Sequence, residues 1–374
     1  MSKSKKPDLK IVPPSDATPS DVPPGTEGIN PQAATQDIPS ELARLRLPVL
    51  TSPSEVELTH RCHRRHVLGD ILRHASYQSP SAIFGTHAHR GAETWWQETI
   101  IQGKDHAQSV QVAVDASIDK WKVPDSGYHT KDLMKSVISH YCQNAQLQGS
   151  LVGEWELVHL EQRALAVIEF ESQEGPDKFA LSYQIDRLLQ NKNNPLEYAS
   201  IDLKTASKLS DLWEQGMSQS IQQKLYNILT QEKVFNDHGG EEEVIMHSLV
   251  EGIQKKGGIK MQYVWPSLMW TPGLLQEAMN LAIQAAHMDE QAIMLILNEA
   301  SDLFAAKDPD ESKVEDVQKI YNVALRVASC ATAFNYMDCR SYYFDCPYTS
   351  VCNSDPEDRL AILLDQFEHI GQRF

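Results

Sequence analysis

Apolar and polar positions follow two different periods along this chain. Between residues 55 and 149 the apolar positions recur at helical spacing. That spacing predicts helices over about 55–74, 81–102, 104–121 and 130–149. Thr51-Ser52-Pro53-Ser54 stands before the first and supplies an N-cap and a first turn. From Trp155 the period shortens, and β-branched and aromatic residues partly alternate, predicting strands at 155–161, 164–171, 179–189 and 196–203. Gln190-Asn191-Lys192-Asn193-Asn194-Pro195 is dense in turn formers, so the last two pair as a hairpin. Helix returns over 210–233, two strands are expected at 243–254 and 259–266, and helix follows from 272 to about 334 with a charged break at 307–315. No internal repeat is evident. The class is α/β, a mixed sheet flanked by helices.

The first 40 residues hold eight of the 19 prolines. Such a segment buries too little apolar surface to offset its ordering entropy, so 1–47 is read as a disordered, Pro-rich segment and 48–374 as one domain. Its basic start, Lys3 to Lys6, is too short to say more. No apolar run approaches the roughly 20 residues that span a bilayer, and the N-terminus lacks a signal peptide's apolar stretch. A cytoplasmic location without a membrane partner is therefore expected, and in such a reducing compartment the six cysteines point to metal rather than disulfides. The net charge of −17 argues against a general polyanion binder, so any phosphate-binding surface must be local.

Candidate chemistry centres on Ile185-Asp186-Arg187 and, after the hairpin turn, Ile201-Asp202-Leu203-Lys204-Thr205. Two acids brought together at one end of a hairpin can hold a hard divalent ion. Asp202 and Lys204 are two apart on a strand and emerge on one face. The acid can hold a metal while the ammonium orients or helps deprotonate an attacking water, and the Leu203 carbonyl offers a further ligand. A lone Asp-x-Lys is usually an exposed strand end. Here other motifs accompany it.

Gln184-Ile185-Asp186-Arg187-Leu188 with Ala199-Ser200-Ile201-Asp202-Leu203-Lys204-Thr205 resembles the "G-x-I-D-R … I-I-D-Y-K-T" core of RecB-like PD-(D/E)XK nucleases, with Gln184 standing where the family has Gly. Phe84-Gly85-Thr86-His87-Ala88-His89 followed by Glu93 resembles the family's "G-T-x-x-H-x-x-x-E" helix, which assigns His89 and not His87 to the site. Gln222-Gln223-Lys224-Leu225-Tyr226 resembles its "Q-x-x-x-Y" helix, with Gln222 and Tyr226 on one face. Glu93 can equally be a helix-stabilising acid and is left outside the site. The resemblance implies a restriction-endonuclease-like fold, catalytic Asp186, Asp202, Lys204, Gln222 and Tyr226, and Mg²⁺ (or Mn²⁺) held by His89, Asp186, Asp202 and Leu203.

Ser52-Pro53-Ser54 with Cys62-His63-Arg64-Arg65, and Cys339-x6-Cys346-Pro347-x4-Cys352, resemble the opening and ending of iron–sulfur members of that family, among them CRISPR adaptation and AddB-type nuclease domains; His63 replaces the usual Pro. Four thiolates suit a [4Fe–4S] cluster or tetrahedral Zn²⁺. Zinc ribbons pair their ligands as Cys-x2-Cys, and no such pair occurs here, so the cluster is favoured. Ligation by Cys62, Cys339, Cys346 and Cys352 would join the N- and C-terminal segments of the domain, with 339–352 as its Cys-rich tail. Cys142 and Cys330 are read as core.

The function expected is Mg²⁺-dependent hydrolysis of DNA phosphodiesters, leaving a 5′-phosphate, by an exonuclease of recombination, replication or repair. DNA is the partner, with a helicase or other replication or recombination protein beside it, in a bacterial or phage-infected cell. The alternative is a catalytically inactive DNA-binding or scaffold protein on a nuclease fold, which the acidic charge favours.

Overall fold

The computed structural model describes residues 8–12, 50–67, 69, 74–75, 80–121, 123, 129–147, 154–172, 175–240, 243–304, 348, 351–352, 354, 358, 362 and 368–369. Strands are β1 Asp8–Val12, β2 Leu50–Thr51, β3 His74–Ala75, β4 Trp155–Ser172, β5 Gly175–Asn191, β6 Asn194–Ala206, β7 Ile245–Gln254, β8 Lys260–Val264 and β9 Glu368–His369. Helices are α1 Pro53–His66, α2 Pro80–Trp96, α3 His106–Ile118, α4 Lys131–Leu147, α5 Asp211–Gln219, α6 Ile221–Asp237 and α7 Pro272–Phe304. Two compact units result. One holds residues 1–44 and 79–276, the other 45–78 and 277–374, a division that cuts across the single 48–374 body expected.

In the first unit a mixed sheet runs in the order β1-β4-β5-β6-β7-β8. Only β6 and β7 are parallel, and the rest of that path is antiparallel. β1 lies inside the segment read as disordered; the remainder of 1–47 falls outside the described residues. α2 buries Phe84, Ala88, Ala92, Trp95 and Trp96, a stripe at helical spacing, into a core with Met134, Ile138 and Tyr141 of α4 and Ile201, Leu203 and Leu249 of the sheet. Full burial of each large side chain contributes about 1.5–3 kcal/mol. α6 meets the sheet through Leu229, whose carbonyl accepts from the Tyr183 hydroxyl at 3.2 Å, and Asn227, whose amide donates to Ser248 Oγ at 3.1 Å.

Three predicted elements change. The strands expected at 155–161 and 164–171 are one strand, β4, because pairing with β5 over its length outweighs the local break in pattern. The helix expected over 210–233 is two. Ser220 has φ −59° and ψ 125°, outside the helical region, and its hydroxyl caps α6 by accepting from Gln223 N at 3.3 Å. The helix expected to reach residue 74 is α-helical only as far as His66 and turns π-helical at residues 67 and 69, with Cys62 already non-helical (φ −160°, ψ 92°). His74–Ala75 instead pairs with Glu368–His369 in the second unit. The predicted helix beyond 304 lies outside the described residues.

Candidate functional site

The β5–β6 ladder ends at the pair Arg187–Ile201. Beyond it β5 continues against β4 while β6 continues against β7, so the two strands part. Asp186 and Asp202 are the next register step, one on each side of the fork. The Asp186 carboxylate accepts from the Leu203 backbone N–H at 3.0 Å. A cleft of about 840 Å³ opens there, lined by His89, Glu161, Asp186, Asp202, Lys204 and Tyr226 among others.

α2 supplies the facing wall. Its apolar stripe is turned into the core, which leaves Gly85, Thr86, His89, Arg90 and Glu93 along the cleft. His89 Nδ1 lies 3.2 Å from Asp186 Oδ2. His87 is buried instead, its ring 4.8 Å from that of Trp121. Lys204 Nζ lies 2.8 Å from Asp202 Oδ2, and the same oxygen accepts from Gln223 Nε2 at 2.6 Å. Gln222, the residue expected at the site, donates to the Tyr226 hydroxyl at 3.2 Å, and Tyr226 lines the cleft.

The electrostatics follow from burying opposite charges together. Burial works against the charged form of every group here. It disfavours the Asp186 carboxylate, yet the His89 hydrogen bond and charge, the Leu203 amide and Lys204 outweigh it and hold Asp186 down at about 2. Burial opposes the charging of His89 too, but its bond to Asp186 and the fields of both aspartates raise its pKa. For Asp202, burial and then the Asp186 charge raise the pKa despite Lys204. Lys204, although half-buried, is held above the usual lysine range chiefly by Asp202.

Residues 50–353 match the family model of the PD-(D/E)XK nuclease superfamily. This chain belongs to that superfamily. No curated protein matches. Among solved structures, a candidate exonuclease from Eubacterium rectale is 16% identical, covering 55% of this chain and 80% of its own, at a TM-score of 0.25. Asp186, Asp202 and Lys204, the residues of the sequence resemblance, all line the cleft.

Two residues in contact with this superfamily member's site aspartates escape a reading of the sequence. Glu161 on β4 falls between the register pairs Leu160–Arg187 and Gln162–Ile185, which sets it beside Asp186. Its carboxylate, one His89 ring nitrogen and an Asp186 oxygen lie within 4.8 Å of one another, close enough to share a metal ion. Glu161 adopts φ +51°, a left-handed conformation that costs about 1–3 kcal/mol for a non-glycine residue. Burial, then the charges of Asp186 and Glu93, push its pKa up to about 7. Gln184, at the position of the family's Gly, donates to Glu161 and accepts from Arg163 Nε at 3.2 Å. Gln223 is the second missed residue, since only the helix break at Ser220 fixes which glutamine faces Asp202. Arg187 turns the other way. It is 2% exposed and pairs with Glu251 at 2.6 Å, beside the Tyr141 hydroxyl and the Trp96 ring.

Of the cysteines read as cluster ligands, Cys62 and Cys352 are half-buried, while Cys339 and Cys346 lie outside the described residues. Cys142 is buried, and burial pushes its thiol up to about 12, as a core cysteine requires. Cys330 lies outside the described residues. No helix among the described residues is long and apolar enough to cross a membrane.

Proposed function

We propose that this protein is a Mg²⁺-dependent DNA nuclease, acting as an exonuclease in recombination, replication or repair. The observation that carries the reading is the convergence of His89, Asp186, Asp202 and Lys204 on one cleft at the β5–β6 fork. The donor set fits a hard divalent cation, since carboxylate oxygens dominate it and the Asp186 and Asp202 side chains keep 15% exposure each. His89, Glu161, Asp186, Asp202 and the Leu203 carbonyl would hold Mg²⁺ (or Mn²⁺). Such an ion polarises a phosphoryl oxygen and lowers the pKa of a bound water.

The chain's own residues do the rest. Lys204, kept cationic by Asp202, orients the water and meets negative charge growing on the phosphate. Gln223 fixes the Asp202 carboxylate by a second bond, so Lys204 and Asp202 are held in one geometry. Tyr226, positioned by Gln222, faces the strand being cut. The intact set opposes the inactive-scaffold reading. End-labelled DNA should be cut by the wild type with Mg²⁺ and left intact by Lys204→Ala of unchanged fold. Wild-type turnover in that variant would remove the mechanism.

We further propose that Cys62, Cys339, Cys346 and Cys352 hold a [4Fe–4S] cluster, with zinc the alternative, and that a helicase or another replication or recombination protein delivers the strand. Support for the cluster is that segments 45–78 and 277–374, which carry all four cysteines, belong to one compact unit. Cys62 and Cys352 of that unit are both half-buried.

A further inference from the structure

The nuclease site itself is acidic, and the chain carries 51 Asp and Glu against 34 Lys and Arg. A polyanionic substrate must find its attraction elsewhere. β6 leads directly to the place. Residues 202–205 line the catalytic cleft, and 207–209 line a second groove of about 560 Å³. Lys208, Lys256 and Lys260 border this groove, all three exposed, and no carboxylate is among its described lining residues. Glu214 stands just outside, accepting from Gln262 at 3.0 Å.

The groove is built rather than incidental. Gln254, 6% exposed, clamps both walls: its Oε1 accepts from Leu209 N at 3.0 Å and its Nε2 donates to the Gly258 carbonyl at 3.1 Å. Backbone bonds from Lys255 N to Ala206 O (2.9 Å) and from Lys256 N to Ser207 O (3.1 Å) lock the β7–β8 loop beside the end of β6. Gly257 (φ +75°) and Gly258 (φ +104°) make the turn that a side chain would strain. Lys255 Nζ, donating to Ser81 Oγ at 2.9 Å, reaches the cleft's own lining.

We propose that this lysine groove binds the phosphodiester backbone of the nucleic-acid strand next to the cleavage point. The proposal rests on the nuclease reading for the direction of the strand. Ser207 follows Lys204 by three residues, roughly 10 Å of extended chain. At a rise of about 3.4 Å per nucleotide, the groove engages phosphates within about three nucleotides of the scissile one. Lysine point charges would hold the strand without reading its sequence.

The test compares full-length wild type with Lys208→Gln/Lys256→Gln/Lys260→Gln, and with a control triple at the exposed Lys104, Lys178 and Lys192. Binding of a fluorescent single strand and a duplex is measured in EDTA across a salt series. Hydrolysis of bis(4-nitrophenyl) phosphate with Mn²⁺ is measured in parallel, since that diester is too small to reach the groove. The groove variant should bind the single strand at least about tenfold more weakly, with its log–log salt slope reduced by about 2, while the small diester is hydrolysed as by wild type. Unchanged affinity and slope would overturn the proposal, and so would an equal loss in the control triple. Groove-dependent binding by a protein that hydrolyses neither DNA nor the small diester would keep the groove and overturn the nuclease reading instead.

Discussion

At the residue scale, Asp186 and Arg187 show how one dipeptide serves two ends. Adjacent strand residues point to opposite sides, so Asp186 enters the cleft while Arg187 is buried against Glu251 and Tyr141. Asp202 and Lys204 were legible in the sequence because a two-residue spacing on a strand fixes a shared face without any tertiary knowledge, and Asp186 because the turn formers from Gln190 to Pro195 bring its strand alongside. Arg187 was legible only as part of a motif; its burial depends on α2 and α4, which no local pattern specifies. Arg187→Ala leaves the buried Glu251 carboxylate without a cationic partner, a loss of about 3–5 kcal/mol. Thermal and denaturant unfolding should show that loss even where metal is absent, and an unchanged melting temperature would refute the structural role.

At the scale of elements, the decisive feature is a fork. β5 leaves β6 after Arg187–Ile201, and the cleft exists because the two strands then follow different partners. The hairpin and its turn were readable from Gln190 to Pro195. The fork was not, because pairing partners are set by long-range contacts. Glu161 shows the cost of a wrong boundary. With 155–161 and 164–171 taken as separate strands, Glu161 is a strand end; with β4 continuous, its register sets it beside Asp186. Gln223 was hidden for the same kind of reason. A helix running unbroken from 210 to 233 has one phase, and the restart at Ser220 gives α6 another.

At the scale of the whole molecule, charge and cysteines are arranged by region. The acidic excess coexists with a local lysine groove, which whole-chain charge conceals. The α/β class and flanking helices were legible from periodicity; the division into two units was not, because the second gathers segments that end at Gln78 and resume at Glu277. The proposed cluster belongs to that second unit, and anaerobically purified protein should be brown with about four irons per chain. Colourless folded protein with one zinc would replace cluster by zinc. The central claim, however, is that the fork's carboxylates grip a divalent cation, and Mn²⁺ binding to metal-free protein, followed by electron paramagnetic resonance at pH 6 and pH 8, tests it most directly. Glu161, with its pKa near 7, is mainly protonated at the lower pH and ionised at the higher, and His89 sheds its proton in the same direction. Wild type should therefore bind about tenfold more tightly at pH 8 than at pH 6, and Asp186→Asn should lose most of that affinity at either pH. Binding by Asp186→Asn as tight as wild type would contradict the account.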